Sequence, residues 1–213
     1  MNRTARTIVK VCGITRIEDA RVAIDAGADW IGVILRGESP RRIEAARARI
    51  ISSAVDGATV VAVMVAPTPE EALALARAAG ATRVQLHRVD PSNWPAEFPL
   101  PVTIAVSVAA DGSLTEMLPP EHHHVLLDTA DASLAGGTGR TFPWEAARVV
   151  AASRSVLLAG GLDATNVAAA VRLVRPFGVD ASSRLESSPG IKDAERVRLF
   201  VAAVRECDDR FEE

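Results

Sequence analysis

The chain has 213 residues and a formal net charge of −3, with 48% apolar and 24% charged residues. This balance excludes the disordered and collagen-like classes. The acidic sign, without any run of five or six like charges, argues against a nucleic-acid partner. Aromatics make up 4%, with no tyrosine, too few for a single-strand stacking platform. Cys12 and Cys207 cannot build a disulfide framework, so a reducing cytoplasm is the expected compartment. Arg3 and Arg6 precede an apolar stretch that Lys10 interrupts, so no signal-peptide core is expected. The longest apolar stretch, Val60 to Ala66, ends at Pro67, far short of the about 20 residues a membrane span needs.

Eight short β-branched runs recur along the chain: Thr7–Val11, Trp30–Leu35, Thr59–Val65, Arg83–Leu86, Val102–Val108, His124–Leu127, Ser155–Ala159 and Gly178–Ala181. Most are continuously apolar, as strands buried on both faces of a parallel sheet are. Helical patterns lie between them. Ile17, Ala20, Arg21 and Ile24 fit the i, i+3, i+4, i+7 template, with Arg21 the polar member. Thr68 reads as an N-cap with Pro69 in the first turn and Glu71 completing a capping box; Gly80 stops that helix. Between Leu86 and Val102 four prolines limit any helix to one or two turns. Between Val108 and His124 only Ser113–Met117 could be helical. Val167, Ala170, Val171 and Val174 mark another stripe, ending before Pro176. The last helix begins near Asp193 and carries Val197, Phe200, Val201 and Val204 on one face. Strand–helix alternation without a linker predicts one domain over residues 1–213. The expected fold is a (β/α)8 barrel with shortened fourth and fifth crossovers; a doubly wound open sheet is the alternative.

In such a barrel, chemistry sits where strands end. Those positions carry Cys12-Gly13-Ile14-Thr15, Ser39-Pro40-Arg41, Gln85-Leu86-His87-Arg88, Asp128 with Gly136-Gly137-Thr138-Gly139, Gly160-Gly161-Leu162, and Asp180-Ala181-Ser182-Ser183-Arg184. Glycines let backbone N–H groups approach an anion, and serines add donors. The neighbouring loops after strands 7 and 8 therefore read as a phosphate site. His122-His123-His124 does not read as a metal site, because neighbours in an extended segment face opposite ways.

Colinear matches extend this pattern over nearly the whole chain: Lys10–Thr15, Glu18–Ala20, Ser39–Arg41, Gln85–His87, Leu127–Asp128, Gly136–Gly139, Ala159–Leu162, Asn166–Val167, Val179–Asp180, Ser182–Ser183 and Pro189–Asp193. On these stretches the chain resembles the phosphoribosylanthranilate isomerase family of tryptophan biosynthesis. The resemblance implies a barrel enzyme acting without cofactor or metal. Its reaction would be an Amadori rearrangement of N-(5'-phosphoribosyl)anthranilate. A general acid protonates the ribose ring oxygen, and a general base takes the C2 proton. By resemblance Cys12 is the base, Asp128 the acid, and Arg41 the partner of the anthranilate carboxylate, which its fork matches. Gln85 and His87 would wall the substrate site, and Asp180 would order the neighbouring loops. Gly137, Gly160, Gly161, Ser182, Ser183 and Arg184 would hold the phosphate. The implied partner is a small phosphosugar, with neither nucleic acid nor membrane, and the protein a monomer or homodimer. A populated Cys12 thiolate needs a nearby cation. A protonated Asp128 needs a partly apolar setting.

Several positions depart from the family pattern. Val33-Ile34-Leu35 stands where aromatics are usual, Arg88 and Arg184 where glycines are usual, and Ala66 where asparagine is common. If the glycine at position 184 needs positive φ, arginine there is strained; alternatively its guanidinium adds a phosphate contact. These departures suggest a paralogue acting on a related phosphosugar amine as the second reading. A non-catalytic phosphosugar-binding barrel is the third.

Overall fold

In the computed structural model, which describes residues 6–55, 57–129 and 142–212, all eight apolar runs are strands. They are β1 (Ile8–Val11), β2 (Trp30–Arg36), β3 (Thr59–Val65), β4 (Arg83–His87), β5 (Val102–Val108), β6 (His124–Thr129), β7 (Val156–Leu158) and β8 (Gly178–Ala181). They pair in parallel, in chain order, and β8 returns to β1 with Lys10 opposite Asp180 and Val11 opposite Ala181. The sheet is thus a closed barrel and the open-sheet alternative does not apply.

Closure explains the unbroken apolar runs. Val9, Val11, Ile31, Val33, Val60, Ala62, Val84 and Leu86 face outward into the layer between sheet and helices. Alternate residues such as Trp30, Val61, Val63, Leu126 and Leu157 fill the barrel. Both faces are dry, so period-2 alternation of polarity is suppressed. Polar side chains enter the barrel on several strands, with Lys10 on β1, Arg83, Gln85 and His87 on β4, Asp128 on β6 and Asp180 on β8.

The outer layer holds α1 (Ile17–Asp25), α2 (Ala45–Ser53), α3 (Pro69–Ala79), α4 (Trp144–Ala151), α5 (Val167–Val174) and α6 (Ala194–Glu212). The Thr68–Glu71 capping box forms, and Gly80 ends α3 at φ +69°. Asp193 caps α6, accepting from the N–H groups of Glu195 and Arg196 at 3.0 and 3.1 Å. In α1 the buried residues are Asp19, Ala20 and Ala23, while Arg21 is exposed. The inward stripe is therefore rotated from the expected one, because Asp19 turns in to accept from Arg16 and the Lys192 N–H. The fourth crossover carries only a 3-10 turn at Pro91–Asn93. The fifth has no helix over residues 109–123; Leu114 instead bridges antiparallel to Val108. The Gly136–Gly139 stretch, with Gly137, lies outside the described residues. A short hairpin of β9 (Glu186–Ser188) and β10 (Ile191–Lys192) follows β8.

The two ends of the barrel chain are tied together. Thr7 donates its backbone N–H and hydroxyl to the Asp208 carboxylate at 3.1 and 2.6 Å. Arg205 of α6 reaches the carbonyls of Thr7 and Gly27 and the carboxylate of Asp29, at 2.6, 2.8 and 2.7 Å.

Ala66, Arg88 and Arg175 adopt left-handed backbone, with φ +47°, +54° and +48°. Ala66 and Arg88 follow β3 and β4, and the Ala66 N–H donates to the His87 carbonyl at 2.8 Å. The departures at 66 and 88 thus fall where asparagine or glycine would sit with less strain. Arg88→Gly is expected to raise Tm by about 1–3 °C, the relief of left-handed strain exceeding the added freedom of the unfolded chain. A calorimetric scan showing a lower Tm would refute that balance.

Candidate active site

A cavity opens at the C-terminal ends of the strands, and Cys12, Arg41, Gln85, His87, Asp128, Gly160, Gly161, Asp180, Ser182, Ser183 and Arg184 all line it. Arg88 stands at the same end of the barrel but is exposed and does not line the cavity.

Cys12 directly follows β1 and shares the inward face with Lys10. Burial pushes its thiol up, opposed by the Lys10 charge, helped by the Asp180 charge and opposed again, more weakly, by Lys192. Lys10 is 0% exposed, with its Nζ 2.7 Å from Asp180 Oδ2. Burial pulls the ammonium down, but Asp180 and Cys12 outweigh it and hold Lys10 charged. Gly32 on β2 makes room for both: a Cβ there would meet Cys12 Sγ at 2.7 Å and Lys10 Nζ at 3.2 Å.

Asp128 enters from β6. Its Oδ1 accepts the Thr129 N–H at 2.8 Å. Burial raises its carboxyl to about 6, helped by Asp180 and opposed by the Thr129 hydrogen bond and Lys10. Gly160, at φ +86°, packs directly on this group. A Cβ there would overlap Thr129 Oγ1 and come within 3.4 Å of Asp128 Oδ1. Ser182, Ser183 and Arg184 follow β8, the last two in a 3-10 turn. Position 184 is not left-handed, so the strain expected there falls at Arg88 instead. The Arg184 guanidinium is half-exposed, 3.9 Å from Asp163.

Arg41 reaches the cavity after β2, where Gly13 at φ +75° leaves space for its Cδ and for Ser182 Oγ. Its Nε and Nη2 grip Glu186, both at 2.8 Å. Lys192 Nζ donates to the same carboxylate at 2.8 Å and to the Ser182 carbonyl at 3.1 Å. This chain of charges joins the β9–β10 hairpin to the cavity wall. Glu186, Lys192 and Lys10 were not among the expected site residues. Lys10 and Lys192 lie inside the matching stretches, and the further signal at Lys10 is a charge interrupting an otherwise apolar run.

Gln85 and His87 both point inward, with Gln85 Nε2 3.0 Å from His87 Nε2. Burial holds His87 near 4, with the Lys10 and Arg88 charges adding to the effect; the ring is neutral at pH 7. His123 and His124 diverge. His123 contacts the His122 ring at 4.0 Å between centroids, while His124 stacks on Trp30 at 6.4 Å and meets Phe177 edge-on at 4.7 Å. Both lie at the opposite, N-terminal mouth of the barrel.

The family model for N-(5'-phosphoribosyl)anthranilate (PRA) isomerase matches residues 9–203. The chain belongs to this family. A relative from Rubrobacter xylanophilus, named N-(5'-phosphoribosyl)anthranilate isomerase, is 44% identical over 202 residues, covering 92% of this chain and 98% of its own. The phosphoribosyl anthranilate isomerase structure from Thermotoga maritima matches with TM-score 0.80 at 32% identity, covering 94% of this chain and 99% of that one. Another phosphoribosyl anthranilate isomerase structure, in complex with reduced 1-(o-carboxyphenylamino)-1-deoxyribulose 5-phosphate, matches with TM-score 0.76 at 31% identity, with 94% and 99% covered.

Membership in the PRA isomerase family sharpens the departures. Of Val33, Ile34 and Leu35, only Ile34 faces the cavity; Val33 and Leu35 pack outward against the helices. The missing ring therefore concerns one wall position. No helix among the described residues is long and apolar enough to cross a membrane.

Proposed function

We propose that this PRA isomerase family member converts N-(5'-phosphoribosyl)anthranilate to 1-(o-carboxyphenylamino)-1-deoxyribulose 5-phosphate through Cys12 and Asp128. The observation that carries this reading is that both side chains line one cavity from different sides of a closed barrel. Asp128, raised to about 6, protonates the ribose ring oxygen and opens the ring to an iminium. Cys12 takes the C2 proton, and the enolamine collapses to the aminoketose. At pH 7 about a tenth of Asp128 carries its proton, since one pH unit is a tenfold change. Ser182, Ser183, Gly160 and Gly161 supply donors for the phosphate, with Arg184 at their edge and Gly137 completing the set by resemblance. Arg41 meets the anthranilate carboxylate with the part of its fork that Glu186 leaves open. Asp180 holds the Lys10 ammonium rather than the neighbouring loops, and Gln85 and His87 wall the sugar.

Every one of these residues comes from a single chain, so a monomer or a homodimer would carry the site alike. Both cysteines are free, which supports a cytoplasmic setting. Ile34 and Arg184 favour a related phosphosugar amine as the second reading. Growth of a tryptophan auxotroph lacking this step, together with turnover of N-(5'-phosphoribosyl)anthranilate by the purified protein, tests the first. Growth without supplement is expected. Absent turnover of that compound, with turnover of a related phosphoribosyl amine, would shift the assignment to the second.

A further inference from the structure

Lys10 is among the largest fully buried side chains, and the acid–base pair does not use it. A buried ion pair adds little stability over apolar residues of the same size, so folding alone does not account for Lys10 and Asp180. Two geometric facts point to the neighbouring sulfur. First, Lys10 Nζ and Cys12 Sγ crowd the same missing methyl at Gly32. Second, Asp180 engages the ammonium only through Oδ2; its buried Oδ1 has no hydrogen-bond partner among the described residues. The ammonium is held by a single carboxylate oxygen, and its charge and that of Cys12 act on each other.

We propose that the Lys10 ammonium is the counter-ion of the Cys12 thiolate, with Asp180 as its competing anion. This rests on the reading of Cys12 as the base. Lys10 is then a positioning residue. It keeps its protons while the C2 proton moves to sulfur, and the electron pair of the broken C–H bond neutralises the iminium to the enolamine. The other groups around Cys12 do not replace it. Arg41 and Lys192 are cations, but both are held by Glu186. His87 is neutral, and Asp128 lines the same cavity as an acid.

The test follows the pH dependence of Cys12 alkylation by iodoacetamide, in a Cys207→Ser background so that one thiol reports. Lys10→Met is expected to move the thiol midpoint up by at least one pH unit. It should also lower kcat near pH 7 about tenfold, with the ratio to wild type narrowing at higher pH, where the wild-type thiol gains no further from Lys10. Asp180→Asn is expected to move the midpoint down. Opposite shifts are not produced by loosened packing, which would lower both melting temperatures and move both midpoints alike. Should Lys10→Met fail to fold, the Lys10→Met/Asp180→Asn double variant is compared with Asp180→Asn, and its midpoint is expected higher. An unchanged midpoint on removing Lys10, in either comparison, overturns the proposal. Turnover by Cys12→Ala reads the base assignment separately: retained turnover would refute that assignment whatever the thiol midpoints do.

Discussion

Asp128→Asn is expected to lower kcat by about 10²–10⁴-fold, the usual contribution of one positioned acid or base. The amide keeps the shape of the carboxylate and its acceptor for the Thr129 N–H, but has no proton to give the ring oxygen. The wild-type rate should fall as pH rises through about 6, where Asp128 loses its proton, and the residual rate of the variant should lack that limb. Stability should move the other way. Below the unfolded carboxylate range both states hold the proton and Asp128 costs nothing. Between that range and about 6 only the folded state holds it, so stability falls as pH rises. Above 6 the cost is complete. At pH 8 the variant should therefore be more stable than wild type, by about 1–3 kcal/mol. Unchanged turnover, or a loss of stability at pH 8, would contradict the assignment.

Glu186→Leu is expected to produce the largest loss of stability. Glu186 is the shared partner of Arg41 and Lys192, whose side chains are 13% and 1% exposed. Burial pulls Lys192 down even with its partner present. Without the carboxylate, two enclosed cations face each other across an apolar gap. Breaking a buried pair in this way costs about 3–5 kcal/mol, a fall in Tm of roughly 10 °C for a chain of this size. Arg41 also loses the grip that sets its orientation, so KM should rise together with the loss of stability. Glu186→Gln, which keeps an acceptor, should fall between. A thermal melt of Glu186→Leu close to wild type would show that water already solvates these cations.

The strands were legible because both faces of a closed parallel barrel are dry; eight apolar runs have few other arrangements. Cys12, Asp128 and Asp180 were legible because chemistry collects where such strands end. Arg41 lines the cavity, but its tether was not legible. Glu186 and Lys192 sit on strands of three and two residues, too short for any periodicity to register. Lys10 was read as an interruption of an apolar stretch and as part of a matching one, but not as a site residue, since a one-dimensional pattern does not show that the neighbouring strand offers Asp180. Arginine at 88 and at 184 looked alike in sequence. Only backbone geometry separates the strained position from the ordinary one.

Closure of the barrel through β1 and β8 also has a consequence for synthesis of the chain. Lys10 and Asp180 are 170 positions apart, and Thr7 and Asp208 are 201 apart. The first strand is made early and acquires its last neighbour near the end. Until then β1 is an open edge of apolar residues, a template for pairing with other chains. A lysine in the middle of that edge is the kind of charge that discourages such pairing. The residue that faces the reactive sulfur in the finished barrel thus guards the unfinished one, and only the arrival of Asp180 converts its charge from a repellent into an anchor.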